Sequence, residues 1–208
     1  MMFSIHEELE RLSQKYRFFA SKEAFKQSLK FQLQEKFRVE ENKRVHDYLI
    51  DLWVEEPESG RQYAICLMNK LARVTIKQNG QTIELKHHGA QDQGRYDFLA
   101  QVEKLERITM GRRNVYGIVV LLTNDHLYWT EPMRPNTVDC EFRIHENRII
   151  TGELKWQERA SAGTKKNRDA PIFIKGRYQL KWHHYSTINQ DKHGEFRYVA
   201  VHVGDVYS

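Results

Sequence analysis

The chain predicts an α/β fold: a central mixed β-sheet flanked by helices, with a β-rich C-terminal extension. Three observations carry this. Val115 to Thr123, VYGIVVLLT, is almost uniformly apolar, the pattern of a strand covered on both faces. A helical period over 89–109 precedes it, and a strand pair precedes that. Past Thr130 the pattern breaks into short strand-like runs separated by turns.

Taken in order, Ser4 to Phe37 reads as helical. Leu9, Leu12, Tyr16 and Phe19 recur at helical spacing, as do Phe25, Leu29 and Leu33. A break is expected near Ala20-Ser21, with Ser21 placed to cap the second helix. Val45 to Val54 reads as a strand, Glu56-Pro57-Glu58-Ser59-Gly60 as a turn, and Arg61 to Asn69 as a second strand antiparallel to the first. Arg73–Lys77 and Thr82–Lys86 flank Asn79-Gly80, a strong hairpin signal. Gly89 to Thr109 is a helix with Phe98, Val102, Leu105 and Ile108 inward and Glu103, Lys104 and Arg107 outward. Short strands are expected at Phe142–His145, Arg148–Trp156, Ile172–Lys175, Tyr178–His183 and Phe196–Val203. Between them, Ala160–Pro171 reads as a polar, basic loop.

With 208 residues, 40% of them hydrophobic, there is material for one ordinary core. We expect a single domain over 1–208, with N-terminal helices in 1–40, an α/β core in 45–125 and the β-rich extension in 130–208. No apolar run approaches the ~20 residues that span a bilayer. The charged start carries no signal-like apolar region, so a cytoplasmic location without a membrane partner is expected. Cys66 and Cys140 sit in apolar surroundings and read as reduced, buried thiols. The net charge of +5 mildly favours a polyanion. Its distribution says more: Lys165, Lys166, Arg168, Lys175 and Arg177, with Lys181, face Asp169 alone between Gly163 and His184. These are the candidate phosphate-backbone contacts.

Metal-dependent phosphodiester cleavage needs hard oxygen ligands for Mg²⁺ and a nearby cation or base. An acid on one strand, with a carboxylate and a lysine two residues apart on its neighbour, supplies them on one face. Asp51 lies in the strand LIDLWV, and Ala64-Ile65-Cys66-Leu67-Met68-Asn69 follows on the next. A helix begins Gly89-Ala90-Gln91-Asp92-Gln93-Gly94-Arg95-Tyr96-Asp97-Phe98-Leu99 and continues Val102-Glu103-Lys104-Leu105-Glu106. Leu122–Trp129, Phe142–His145, Gly176–Leu180 and Phe196–Tyr198 complete the pattern.

On these residues the chain resembles the restriction-endonuclease-like PD-(D/E)xK superfamily, and within it a group of uncharacterised bacterial members whose second strand reads AIELKY. The resemblance covers most of the chain after Val45. It implies a nuclease fold in which Asp51 is the metal-binding acid and Gln91 the polar residue opening the covering helix. Cys66 then stands where the carboxylate belongs and Met68 where the lysine belongs. A neutral thiol is a poor Mg²⁺ ligand, and methionine carries neither charge nor transferable proton. Mg²⁺ is therefore the implied cofactor, and its loss the expectation, with Asp51 the one metal ligand left.

Three functions stay open. The first is a pseudo-nuclease that binds DNA, RNA or a partner without cutting. The second is an active Mg²⁺-dependent endonuclease using Asp51 with a relocated pair, Glu84 and Lys86. The third is a protein-interaction module of a defence or phage-related system. Other motifs add little. Ile83-Glu84-Leu85-Lys86 is also what a half-exposed strand looks like. No HExxH or Cys-x-x-Cys is present, so spacing predicts no zinc site. Adjacent histidines at 87–88 and 183–184 point to opposite strand faces. Trp129, Trp156, Trp182, Tyr178 and Tyr185 suit stacking on bases or a small core, the core being favoured. Thr123-Asn124-Asp125 ends the buried strand, where α/β sites tend to lie.

Overall fold

The structure, a computed structural model, describes residues 3–78 and 80–204. Two helices open the chain, α1 (Ile5–Lys15) and α2 (Lys22–Leu33). The break falls where expected because Ser21 caps α2, its hydroxyl accepting from the Ala24 N–H at 3.1 Å. Ile5, Leu9, Leu12, Phe25, Leu29 and Leu33 are fully buried. Tyr16 is half exposed because α1 ends one residue before it.

One sheet organises the rest. Its strands are β1 (Arg38–Val45), β2 (Tyr48–Glu55), β3 (Gln62–Lys70), β6 (Val115–Thr123), β9 (Trp182–Thr187) and β10 (Glu195–Val203). Their order is β1-β2-β3-β6-β10-β9. Only β3 and β6 run parallel; every other neighbour is antiparallel, so the sheet is mixed. Sequence reading missed β1. RVEENKRV is an edge strand alternating between exposed and half-buried residues, so it shows charge rather than apolar periodicity. Val45 ends β1 instead of opening β2, and the chain turns at His46, where φ is +52°.

A small hairpin, β4 (Val74–Gln78) with β5 (Gln81–Leu85), leaves the C-terminal end of β3. Asn79, from the expected turn, lies outside the described residues. The hairpin buries Val74, Ile76 and Leu85 in the core shared by α1, α2 and one sheet face. On the other face lies α3 (Gln91–Thr109), packing Phe98, Leu99, Val102 and Leu105 against Cys66, Met68, Val119 and Leu121. Each such apolar side chain contributes about 1.5–3 kcal/mol by leaving water. Gly117 makes the approach feasible: a Cβ there would lie 2.8 Å from the Leu105 Cβ.

The outer side of α3 differs most from expectation. A second hairpin, β7 (Ile149–Leu154) with β8 (Ile172–Gln179), lies over it and carries Ile150, Leu154, Ile172 and Ile174 into the same core. The layers run helices, sheet, helix, hairpin. The segment from 130 onward therefore divides: β7 and β8 roof α3, while β9 and β10 extend the main sheet beside β6. Phe142–His145 is not a strand; a single 3-10 turn, Cys140–Phe142, stands there. The 160–171 loop holds one short turn of helix, α4 (Ala162–Lys165).

Polar side chains of α3 fasten this roof. Glu106, buried, accepts from the N–H groups of Lys175 and Gly176 and from the Tyr178 hydroxyl at 2.8–2.9 Å. Glu103 accepts from the Phe173 N–H, so it does not face solvent as expected. Asp97 receives both arms of Arg168 at 2.6 and 2.9 Å. Arg95 pairs with Asp139 at 2.6 Å, both buried. These are the letters of the helix motif, and each has a structural partner.

Candidate functional site

Beyond Leu52, β2 peels away from β3: the ladder between them ends at the Leu52–Ile65 pair. The Asp51 side chain fills the gap. Its Oδ2 accepts the Leu67 N–H at 2.7 Å, replacing the missing ladder bond, and its Oδ1 pairs with the Lys22 ammonium at 2.7 Å. The carboxylate is 15% exposed. Ser21 sets Lys22 at the first position of α2, so the capping that starts the helix also delivers its cation to the sheet.

Cys66 and Met68 point from β3 towards α3, and both are buried. Burial pushes the Cys66 thiol up to about 11. The ammonium of Lys104 pulls it down and the Asp51 carboxylate pushes it up. The thiol is therefore neutral at ordinary pH, between an acid and a lysine from α3. Lys104 also donates to the Leu49 carbonyl at 3.1 Å. Neither Lys22 nor Lys104 stood out in the sequence, because nothing local links them to Asp51. A Mg²⁺ ion would find one carboxylate here, already shared by an ammonium and an amide, with a protonated thiol and a thioether beside it. The residues do not fit that ion.

The other sequence candidates are dispersed. Glu84, 59% exposed, lies on the outer hairpin and meets Arg73 at 3.6 Å; Lys86 is exposed just after β5. The fold does not bring this pair to Asp51. Gln91 opens α3 as expected, but its amide donates to Asp125 at 2.9 Å. Arg168 is committed to Asp97. Lys166, Lys175 and Arg177 are exposed and Lys165 half-buried, strung along the roof of α3. That helix has 19 residues, roughly 28 Å at 1.5 Å per residue. Trp129, Trp156, Trp182 and Tyr185 are buried. Trp156 stacks on Tyr96, and the Trp182 indole donates to the Ile144 carbonyl, so these rings serve packing. Cys140 is half-buried, not buried, and both cysteines are free.

A second cluster forms where the two parallel strands end. Asp125 follows β6, His126 opens a 3-10 turn (His126–Tyr128), and His193 comes from the β9–β10 hairpin. One donor atom from each lies within 4.8 Å of the others. Asn124 builds the frame. Its side chain accepts from the Ala72 N–H and donates to the Ala72 and His193 carbonyls. Burial lowers the His126 value, and Lys192 adds to it. Asp125 was visible as a strand-end acid. His126 and His193 were not, because only the fold brings the hairpin loop to β6.

No protein-family model matches the chain, and comparison with curated proteins and with solved structures returns no match. Among the described residues, no helix is long and apolar enough to cross a membrane.

Proposed function

We propose that the chain is a restriction-endonuclease-like scaffold that binds nucleic acid without cutting it. One observation carries this: both Asp51 oxygens are engaged, by Lys22 and by the Leu67 N–H, beside a neutral Cys66. In a cleaving site of this design the acid faces a metal ion that offsets phosphate charge. Here the Lys22 ammonium stands against Asp51 in place of a metal ion, which neutralises the acid without activating water, and Lys104 of α3 adds positive charge near Cys66. Lys165, Lys166, Lys175 and Arg177 extend that charge along the roof.

The test is a fluorescence-anisotropy titration of labelled single- and double-stranded DNA and RNA across salt concentrations. Cleavage is assayed in parallel with Mg²⁺ and Mn²⁺. Binding should weaken steeply with salt, and Lys166→Ala or Lys175→Ala, both exposed, should each reduce the log–log slope by about 1. Cleavage that Asp51→Ala abolishes would overturn the non-cutting reading. Binding that is absent or indifferent to salt would overturn the nucleic-acid reading.

A further inference from the structure

We propose that Asp125, His126 and His193 form a binding site for a divalent transition-metal ion of the zinc type. The site uses none of the groups bonded to Asp51 and does not depend on the function proposed above.

Three independent features point to a cation. The first is geometric: a buried carboxylate and two imidazoles from separate elements each place a donor atom within 4.8 Å of the others. Around a tetrahedral ion with bonds of about 2.1 Å the donors stand roughly 3.4 Å apart, so small side-chain rotations complete the set.

The second is an unbalanced charge. Asp125 is 3% exposed, and among the described residues it forms no ion pair. Its Oδ1 accepts the Leu127 N–H at 3.1 Å and its Oδ2 the Gln91 amide at 2.9 Å. Those bonds orient the carboxylate without neutralising it and leave lone pairs on both oxygens. Buried carboxylates are ordinarily paired with a cation or bound to a metal.

The third feature is the state of the histidines. His126 Nδ1 is buried and has no hydrogen-bond partner, which is costly unless something occupies it. His193 Nδ1 stands 3.3 Å from the Asn124 carbonyl. A carbonyl only accepts, so Nδ1 carries the proton and Nε2 keeps its lone pair, the arrangement typical of a metal-bound histidine.

The donor set defines the class of ion. Two imidazoles and one carboxylate suit Zn²⁺, Co²⁺ or Ni²⁺, whereas Mg²⁺ prefers an all-oxygen shell. Three protein donors leave at least one coordination position open. Lys192, exposed nearby, opposes the charge of the ion, so Lys192→Gln should tighten binding.

The experiment is isothermal titration of the EDTA-stripped full chain with Zn²⁺, Co²⁺ and Mg²⁺. One equivalent of Zn²⁺ or Co²⁺ should bind. At a hundredfold excess over Kd the Tm should rise by roughly 5 °C, and Mg²⁺ should do neither. His126→Gln and His193→Gln should each weaken binding by about a hundredfold. Cys66→Ser, Cys140→Ser and His183→Gln should leave it unchanged. His193 lies in a hairpin loop, so the circular dichroism of His193→Gln should match the wild type even where His126→Gln perturbs folding. No stoichiometric binding by the wild type at about 100 µM ion would overturn the site. So would binding that survives His193→Gln in the folded variant.

Discussion

Two acids towards the C-terminal ends of the parallel strands are treated in opposite ways. At the β2–β3 split, Asp51 has a lysine on one oxygen and a backbone N–H on the other, replacing a ladder bond the strands fail to make. At the ends of β3 and β6, Asp125 is more deeply buried yet receives only neutral donors, with two imidazoles waiting beside it. The first acid is saturated and its work is structural. The second keeps unspent charge. The resemblance pointed to the first, while the physical chemistry of the fold points to the second as the place with capacity for a cation.

The strongest attempt to break this contrast is to rebuild the site the resemblance implies. Cys66→Glu with Met68→Lys puts two charges under α3, where the native side chains are 1% and 9% exposed. We expect a loss of about 3–5 kcal/mol in EDTA, because the new groups are desolvated and imperfectly paired. If Asp51 and the introduced carboxylate then bind Mg²⁺, the ion should recover part of that stability and bring cleavage activity. Thermal unfolding with and without Mg²⁺ decides it. A variant whose Tm ignores Mg²⁺ would mean that the surroundings of Asp51 do not have the shape of a metal site.

Next in size is the pair of acid deletions. Asp51→Ala should cost about 2–3 kcal/mol in urea unfolding, since the Leu67 N–H and Lys22 both lose their partner. Asp125→Asn should lie within about 1 kcal/mol of wild type in EDTA, and on the stabilising side. It removes an unpaired buried charge while leaving an oxygen for the Leu127 N–H. If the two substitutions cost the same, the distinction between a structural and a poised acid collapses.

How much of this was legible follows from where each signal resides. The α3 stripe, the buried β6 and the Ser21 cap are local patterns, and they read correctly. The edge strand β1 was invisible because one face is exposed and the other, half-buried against α2, is built largely of charged and polar residues. The α3 polar motif was read as the flank of a nuclease site. Asp97, Glu103 and Glu106 instead hold the β7–β8 roof and Arg95 holds the segment before it, and no local spacing reveals that, since their partners lie 44 to 72 residues away. Lys22 reached Asp51, and His193 reached Asp125, only through tertiary packing. The acids were readable, and their partners, which decide what each acid does, were not.

The smallest effect comes from a second histidine cluster, which sharpens the contrast because among the described residues no acid bonds to it. His6 lies in a cleft of about 600 Å³ between α1 and β9. Its Nδ1 meets the Tyr198 hydroxyl at 2.9 Å, and its ring packs on His183 and His202. Glu7, Glu10, His184 and Tyr185 also line the cleft. Burial, then the nearby His183 and His202, lower the His6 value from 6.5 to about 4. The folded state thus resists a proton that the unfolded chain accepts between those values, so stability is complete above pH 6.5 and falls as pH drops towards 4. For a half-buried ring we expect a loss of about 1 kcal/mol from pH 7 to pH 5. His6→Gln should flatten this part of the profile. The same variant should leave Zn²⁺ binding untouched, because a histidine cluster without a buried carboxylate lacks the charge that draws the ion. Urea midpoints across that pH range, with and without Zn²⁺, separate the two behaviours. A His6→Gln protein that loses its zinc would place the metal in the wrong cluster.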